Sequence, residues 1–152
     1  MKSFALILGM GIGLVAHAQS KSIKEAVESK NYVFTAQTAM PMSGRTRNLT
    51  SEYDLHVSPD AVVSYLPYFG QAYQSTYGST SSPLDFTSKD FEYAITPGKK
   101  EGWSVTIKPR DFREVQMMTL SISSDGYARL QVTFTSRQAI SFNGIVAAPR
   151  HK

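Results

Sequence analysis

Glu52, Asp54 and His56 are the residues whose types and spacing come nearest to catalytic or metal-binding chemistry. In an extended strand, positions i and i+2 point the same way and lie about 6.6 Å apart. One face would then offer two carboxylates and an imidazole, the donors of an acid/base pair or a metal site. The same alternation also describes a plain solvated face, because Leu49, Tyr53, Leu55 and Val57 make the opposite, apolar one. The solvated face is the preferred reading. Asp90 and Glu92 repeat the pattern without a histidine, and His151 is penultimate, where chains are seldom tied down. The absence of cysteine excludes disulfides, thiol nucleophiles and thiolate metal sites. No nucleophile elbow, glycine-rich phosphate loop, zinc spacing or calcium loop is present. Neither an enzyme nor a cofactor is expected.

A second group carries recognition chemistry instead. Tyr65, Tyr68, Phe69, Tyr73 and Tyr77 crowd a short, glycine-punctuated stretch. A tyrosine offers an apolar face and a polar tip, which suits stacking on sugars or lining an apolar pocket. Concave sites combine such walls with a few polar groups. A structural role competes: Tyr65 and Phe69 can plug an open end of a sheet, with Gly70 allowing a sharp reversal. These five residues are the candidate ligand-binding site. The candidate occupant is a lipophilic or glycan-like small ligand. Docking on a protein of the cell envelope is the first alternative, and a hydrolase using Glu52, Asp54 and His56 the second.

The elements that must position these residues are mostly strands. Ser22-Ile23-Lys24-Glu25 fits a capping box, and Ile23, Ala26 and Val27 then share one helical face. That spacing predicts a short helix from Ser22 to Lys30. From Tyr32 onward the period changes to two. Tyr32, Phe34, Ala36 and Thr38 share a face. Ser58-Pro59-Asp60 turns the chain between the strand ending at Val57 and the next, over 61–66. Residues 67–90 read largely as loop, with 74–83 rich in Ser, Thr and Gly. Strands resume with Phe91/Tyr93/Ile95, and Pro97 to Gly102 closes a hairpin onto Trp103/Val105/Ile107. Met118, Leu120 and Ile122 follow, then the Asp125-Gly126 turn and Ala128, Leu130, Val132 and Phe134. A last strand over 139–147 holds Asn143-Gly144, a turn or a bulge. Seven or eight strands joined by short turns predict an antiparallel meander. The expected class is α+β, mostly antiparallel β: one short N-terminal helix packed on a curved sheet or partly closed barrel of lipocalin-like shape.

The first residues read as a signal for export. Lys2 is the positive start, 4–15 an uncharged, mostly apolar run, and Ala16-His17-Ala18 a small-x-small cleavage site. The run is shorter than the roughly 20 residues of a spanning helix. The expected division is a cleaved signal peptide over 1–18 and a single β-rich domain over 19–152. With no cysteine after the run and no later apolar segment, the product is expected to be soluble in the periplasm or outside the cell. The 152-residue chain carries a net charge of +4, and its basic residues are dispersed. The pI of about 9.3 only just reaches the range of nucleic-acid binders, so no nucleic-acid partner is expected. Asn48-Leu49-Thr50 matches a glycosylation acceptor, relevant only in a eukaryote.

The run Tyr65-Leu66-Pro67-Tyr68-Phe69-Gly70-Gln71-Ala72-Tyr73 resembles a motif of the exported family known as domain of unknown function 4251, found in the Bacteroides group of Gram-negative bacteria. The later order is similar too: Phe91-Glu92-Tyr93, the strand at 102–108, Leu120 to Ser123, Gly126-Tyr127-Ala128, and Ile140 to Gly144. The likeness covers nearly the whole chain after residue 18. Many relatives look like lipoproteins, and this chain departs from them in lacking an anchor cysteine. The resemblance implies a periplasmic or secreted location, and it implies no reaction, cofactor or substrate.

Overall fold

The computed structural model describes residues 22–70, 82–99 and 101–149. The expected signal peptide over 1–18, Tyr73, Tyr77 and His151 lie outside the described residues.

A helix, α1, occupies 22–28. Its C-terminus is a Schellman motif: Asn31 N–H donates to the Ala26 carbonyl at 2.9 Å and Lys30 N–H to the Val27 carbonyl at 3.2 Å. Lys30 takes the left-handed conformation this closure needs, with φ 55°. Ile23, Ala26 and Val27 are buried together, so a helix too short to stand alone is held by docking.

Nine strands follow: β1 (Tyr32–Pro41), β2 (Arg47–Val57), β3 (Val62–Tyr65), β4 (Asp85–Ser88), β5 (Phe91–Pro97), β6 (Trp103–Pro109), β7 (Val115–Ile122), β8 (Tyr127–Phe134) and β9 (Ile140–Ala147). They form one sheet in the order β4-β3-β2-β1-β9-β8-β7-β6-β5. Every neighbouring pair is antiparallel. The chain is thus a meander in which β9 returns to pair with β1. β4 was not expected; it lies in the stretch that reads as loop.

Counting directions around the sheet, β4 and β5 run the same way, and only Lys89 and Asp90 separate them. They behave as two halves of one broken stave. The first half pairs with β3 and the second with β6, so the sheet is a nearly closed barrel. Side chains bridge the seam that backbone bonds leave open. Phe86 of β4 stacks on Phe112 beyond β6, with centroids 4.4 Å apart and planes 8° from parallel. The Asp111 carboxylate accepts from the Ser88 hydroxyl and from the backbone N–H groups of Lys89 (2.8 Å) and Asp90 (3.2 Å). These bonds, that from Ser88 foremost, hold its carboxyl below the ordinary range.

The interior is filled by side chains from all sides, with Phe34, Leu55, Leu120, Leu130 and Phe142 fully buried. Tyr32 is also fully buried and donates to the Tyr93 hydroxyl at 3.1 Å, which in turn donates to the Val27 carbonyl at 3.2 Å. This relay ties β1 and β5 to the end of α1. Burial pushes both phenols above the ordinary tyrosine value.

One expectation of facing is corrected. On β1 the inward set is Tyr32, Phe34, Ala36 and then Ala39, not Thr38. Gln37 is the extra residue of a bulge: β1 advances from Ala36 to Thr38 while β9 advances from Gly144 to Asn143. The Asn143-Gly144 pair is therefore neither turn nor bulge, but the flat strand opposite one. Ile95 shares the face of its partner Val105 on β6, yet it is 38 % exposed where Val105 is fully buried.

Candidate functional site

The polar strand face comes first. Asp54 and His56 do meet, with Nε2 of His56 3.1 Å from a carboxylate oxygen of Asp54, and the contact is exposed. Glu52 is not held beside them. Between Tyr53 and Asn48 the ladder of β2 loses step with β1, and Glu52 falls in that irregular stretch. Among the described residues no group of three or more His, Asp or Glu side chains can hold a metal ion. Asp90 and Glu92 both pair with Arg110, at 3.0 and 3.1 Å, on the surface. Exposed pairs of this kind contribute little to stability.

The aromatic stretch divides in two. Leu66, Tyr68 and Phe69 turn back over the end of the barrel where β1 meets β2 and β8 meets β9. Tyr68 donates its hydroxyl to the Gln138 carbonyl at 2.9 Å, and its ring meets Phe134 edge-on at 5.2 Å. Arg137 lies over the same ring at 5.1 Å. Phe69 carries the Arg47 guanidinium on its face at 4.4 Å. Both rings pack against the core. Tyr65 does not: it sits on the outer face of β3, 53 % exposed, beside Tyr53 at 5.6 Å between centroids.

Tyr53 and Tyr65 form one wall of a cleft of about 430 Å³, and Tyr68, Ser82, Asp85 and Arg137 supply its polar groups. Arg137 is nearly buried and forms an ion pair with Glu114, yet its Nε finds no acceptor among the described residues. The arrangement offers a ring face, a hydroxyl, a carboxylate and a guanidinium within one open concavity. Tyr53 and Arg137 were not among the candidates. Tyr53 reads as a core position by alternation, and Arg137 becomes visible only when the β8–β9 loop folds against Tyr68.

The profile of the family described as Domain of unknown function (DUF4251) matches residues 15–146, from ahead of α1 to near the end of β9. The chain belongs to that family. A crystal structure of a DUF4251 family protein from Bacteroides eggerthii superimposes with a TM-score of 0.60 at 14% sequence identity, covering 86% of this chain and 88% of that one. At that identity the likeness speaks for the DUF4251 fold alone. Comparison with functionally curated proteins finds no match. Among the described residues no helix is long and apolar enough to cross a membrane.

Proposed function

We propose that this protein is an exported, non-catalytic binding domain that holds a glycan-like ligand in the cleft between Tyr53 and Tyr65. The observation that carries the reading is the wall of half-buried Tyr53 and exposed Tyr65 beside the hydroxyl, carboxylate and guanidinium of Tyr68, Asp85 and Arg137. Sugar rings present apolar faces flanked by hydroxyls, which matches a ring wall with polar groups at its edge. A purely lipophilic ligand fits less well, because the barrel interior is occupied by core side chains and this cleft is charged. Lys2, the apolar run over 4–15 and Ala16-His17-Ala18 support export to the periplasm or the medium. The N-terminus of the protein recovered from outside the cytoplasm should then be Gln19.

A panel of neutral oligosaccharides and fatty acids, read by thermal shift, tests the site. A true ligand at a hundredfold excess over its dissociation constant raises stability by about 2.7 kcal/mol. Tyr65→Ala should remove that shift while changing stability by no more than about 0.5 kcal/mol, since the ring is exposed. A shift that survives Tyr65→Ala, or none with any sugar, sinks the reading. Docking on an envelope protein is the second reading. The outer edge of β5, which pairs with no strand among the described residues and carries the exposed Ile95, favours that reading as a place for a partner's strand to add.

A further inference from the structure

A wider groove, of about 860 Å³, lies on the outer face of β6 to β9. Register places a single row of polar side chains across it. Ser104 pairs with Ser121, Ser121 with Arg129, and Arg129 with Asn143. The bulged Gln37 extends the row onto β1. Five strands at about 4.8 Å make that row roughly 19 Å long.

The concavity has a cause. Gly144 lies so close to β1 that an added Cβ would sit 2.0 Å from the Thr35 carbonyl oxygen. The bulge at Gln37 bends the sheet at the same place and turns an extra amide outward. Tyr127, 65 % exposed, flanks the middle of the row, two positions from Arg129 on β8, and Trp103 lines the same groove. Arg129 and Lys99 bring two cations, and among the described residues no carboxylate lines the groove. Neither cation has an ion pair among the described residues.

We infer that this groove binds an acidic oligosaccharide, one whose sugars carry carboxylate or sulfate groups. The row supplies hydroxyl, amide and guanidinium partners at the spacing of strands. Tyr127 supplies a face for a sugar ring, and Arg129 and Lys99 supply the charge complement. An acidic peptide is the poorer fit. Strands β6 to β9 are each paired on both sides, so no backbone edge is free to take an added strand. This site shares no residue with the Tyr53–Tyr65 cleft and stands independently of it.

Isotope-labelled protein titrated with oligogalacturonate, a heparin-derived oligosaccharide and a neutral cello-oligosaccharide tests the inference by amide shifts. One or both acidic probes should move the amides of residues 127–129 and 143–145, and added salt should weaken the effect. The two acidic arms distinguish carboxylate from sulfate. Arg129→Gln should weaken binding by about tenfold, the loss expected for one charge-assisted hydrogen bond. Lys99→Gln, on an exposed turn, gives a second variant that leaves the sheet alone. Equal binding of the neutral probe overturns the inference. So does equal binding of a poly-glutamate peptide, or affinity unchanged in both variants. Shifts confined to Tyr53, Tyr65 and Tyr68 also overturn it, while supporting the other cleft.

Discussion

Gly144 and Tyr32 show how much rests on single side chains. Gly144 faces the Thr35 carbonyl across the β1–β9 ladder with no room for a methyl group. Gly144→Ala must push two paired backbones apart at the bulge. We expect a loss of about 3 kcal/mol, the upper range for overpacking, measured by chemical denaturation. Tyr32 is buried, and its phenol stays protonated well above the ordinary value of 10.0. The unfolded chain releases that proton near pH 10 and the folded chain does not, so the unfolded state gains with rising pH. Stability should therefore be full below pH 10 and fall above it, at up to about 1.4 kcal/mol per pH unit for each such tyrosine. Tyr32→Phe should cost about 1 kcal/mol at neutral pH by removing one buried hydrogen bond. It should also flatten the alkaline slope. An unchanged slope would show that the Tyr32–Tyr93 pair does not govern it.

Among elements, the broken stave is the one whose role sequence alone leaves open. β4 has only four residues and lies just after a stretch rich in Ser, Thr and Gly, so no period could emerge. Its strand state comes from pairing with β3, where Val62 meets Ser88 and Tyr65 meets Asp85. Nothing pairs β4 to β5, so the seam depends on side chains. A double-mutant cycle of Phe86→Ala and Phe112→Ala should return a coupling of about 0.5–1.5 kcal/mol. A coupling near zero would mean that Asp111 alone closes the corner. The bulges make the same point about β1 and β2. Tyr32, Phe34 and Ala36 obey the alternation read from sequence, and Gln37 then resets it. A bulge leaves no mark in the residue types, because the inserted position only has to tolerate exposure.

At the scale of the whole molecule, the barrel is held by one pairing between distant parts of the chain. β9 lies between β1 and β8 and contributes Ile140 and Phe142 to the centre of the core. A chain truncated after Thr135 loses the β8–β9 hairpin along with the β1–β9 pairing, exposes the edges of β1 and β8 and empties that core. It should fail to fold, with collapsed amide dispersion in its NMR spectrum, whereas a chain of independent hairpins would keep much of its signal.

The sequence by itself determined the local units. The short amphipathic helix, the period-two strands, the turns at Ser58-Pro59-Asp60 and Asp125-Gly126, and the family all follow from residues close together in the chain. Periodicity and turn chemistry are short-range, so they are written locally. Only the tertiary structure decided which strands become neighbours, where the ladders lose step, and which aromatic rings are free. Tyr65 and Tyr68 are three positions apart and chemically alike. One became an exposed wall and the other a plug, because Phe134, Arg137 and Gln138 fold onto Tyr68 from the far end of the chain. The polar row from Ser104 to Gln37 is likewise invisible along the chain. Its members lie on five different strands, and only hydrogen-bond register sets them side by side.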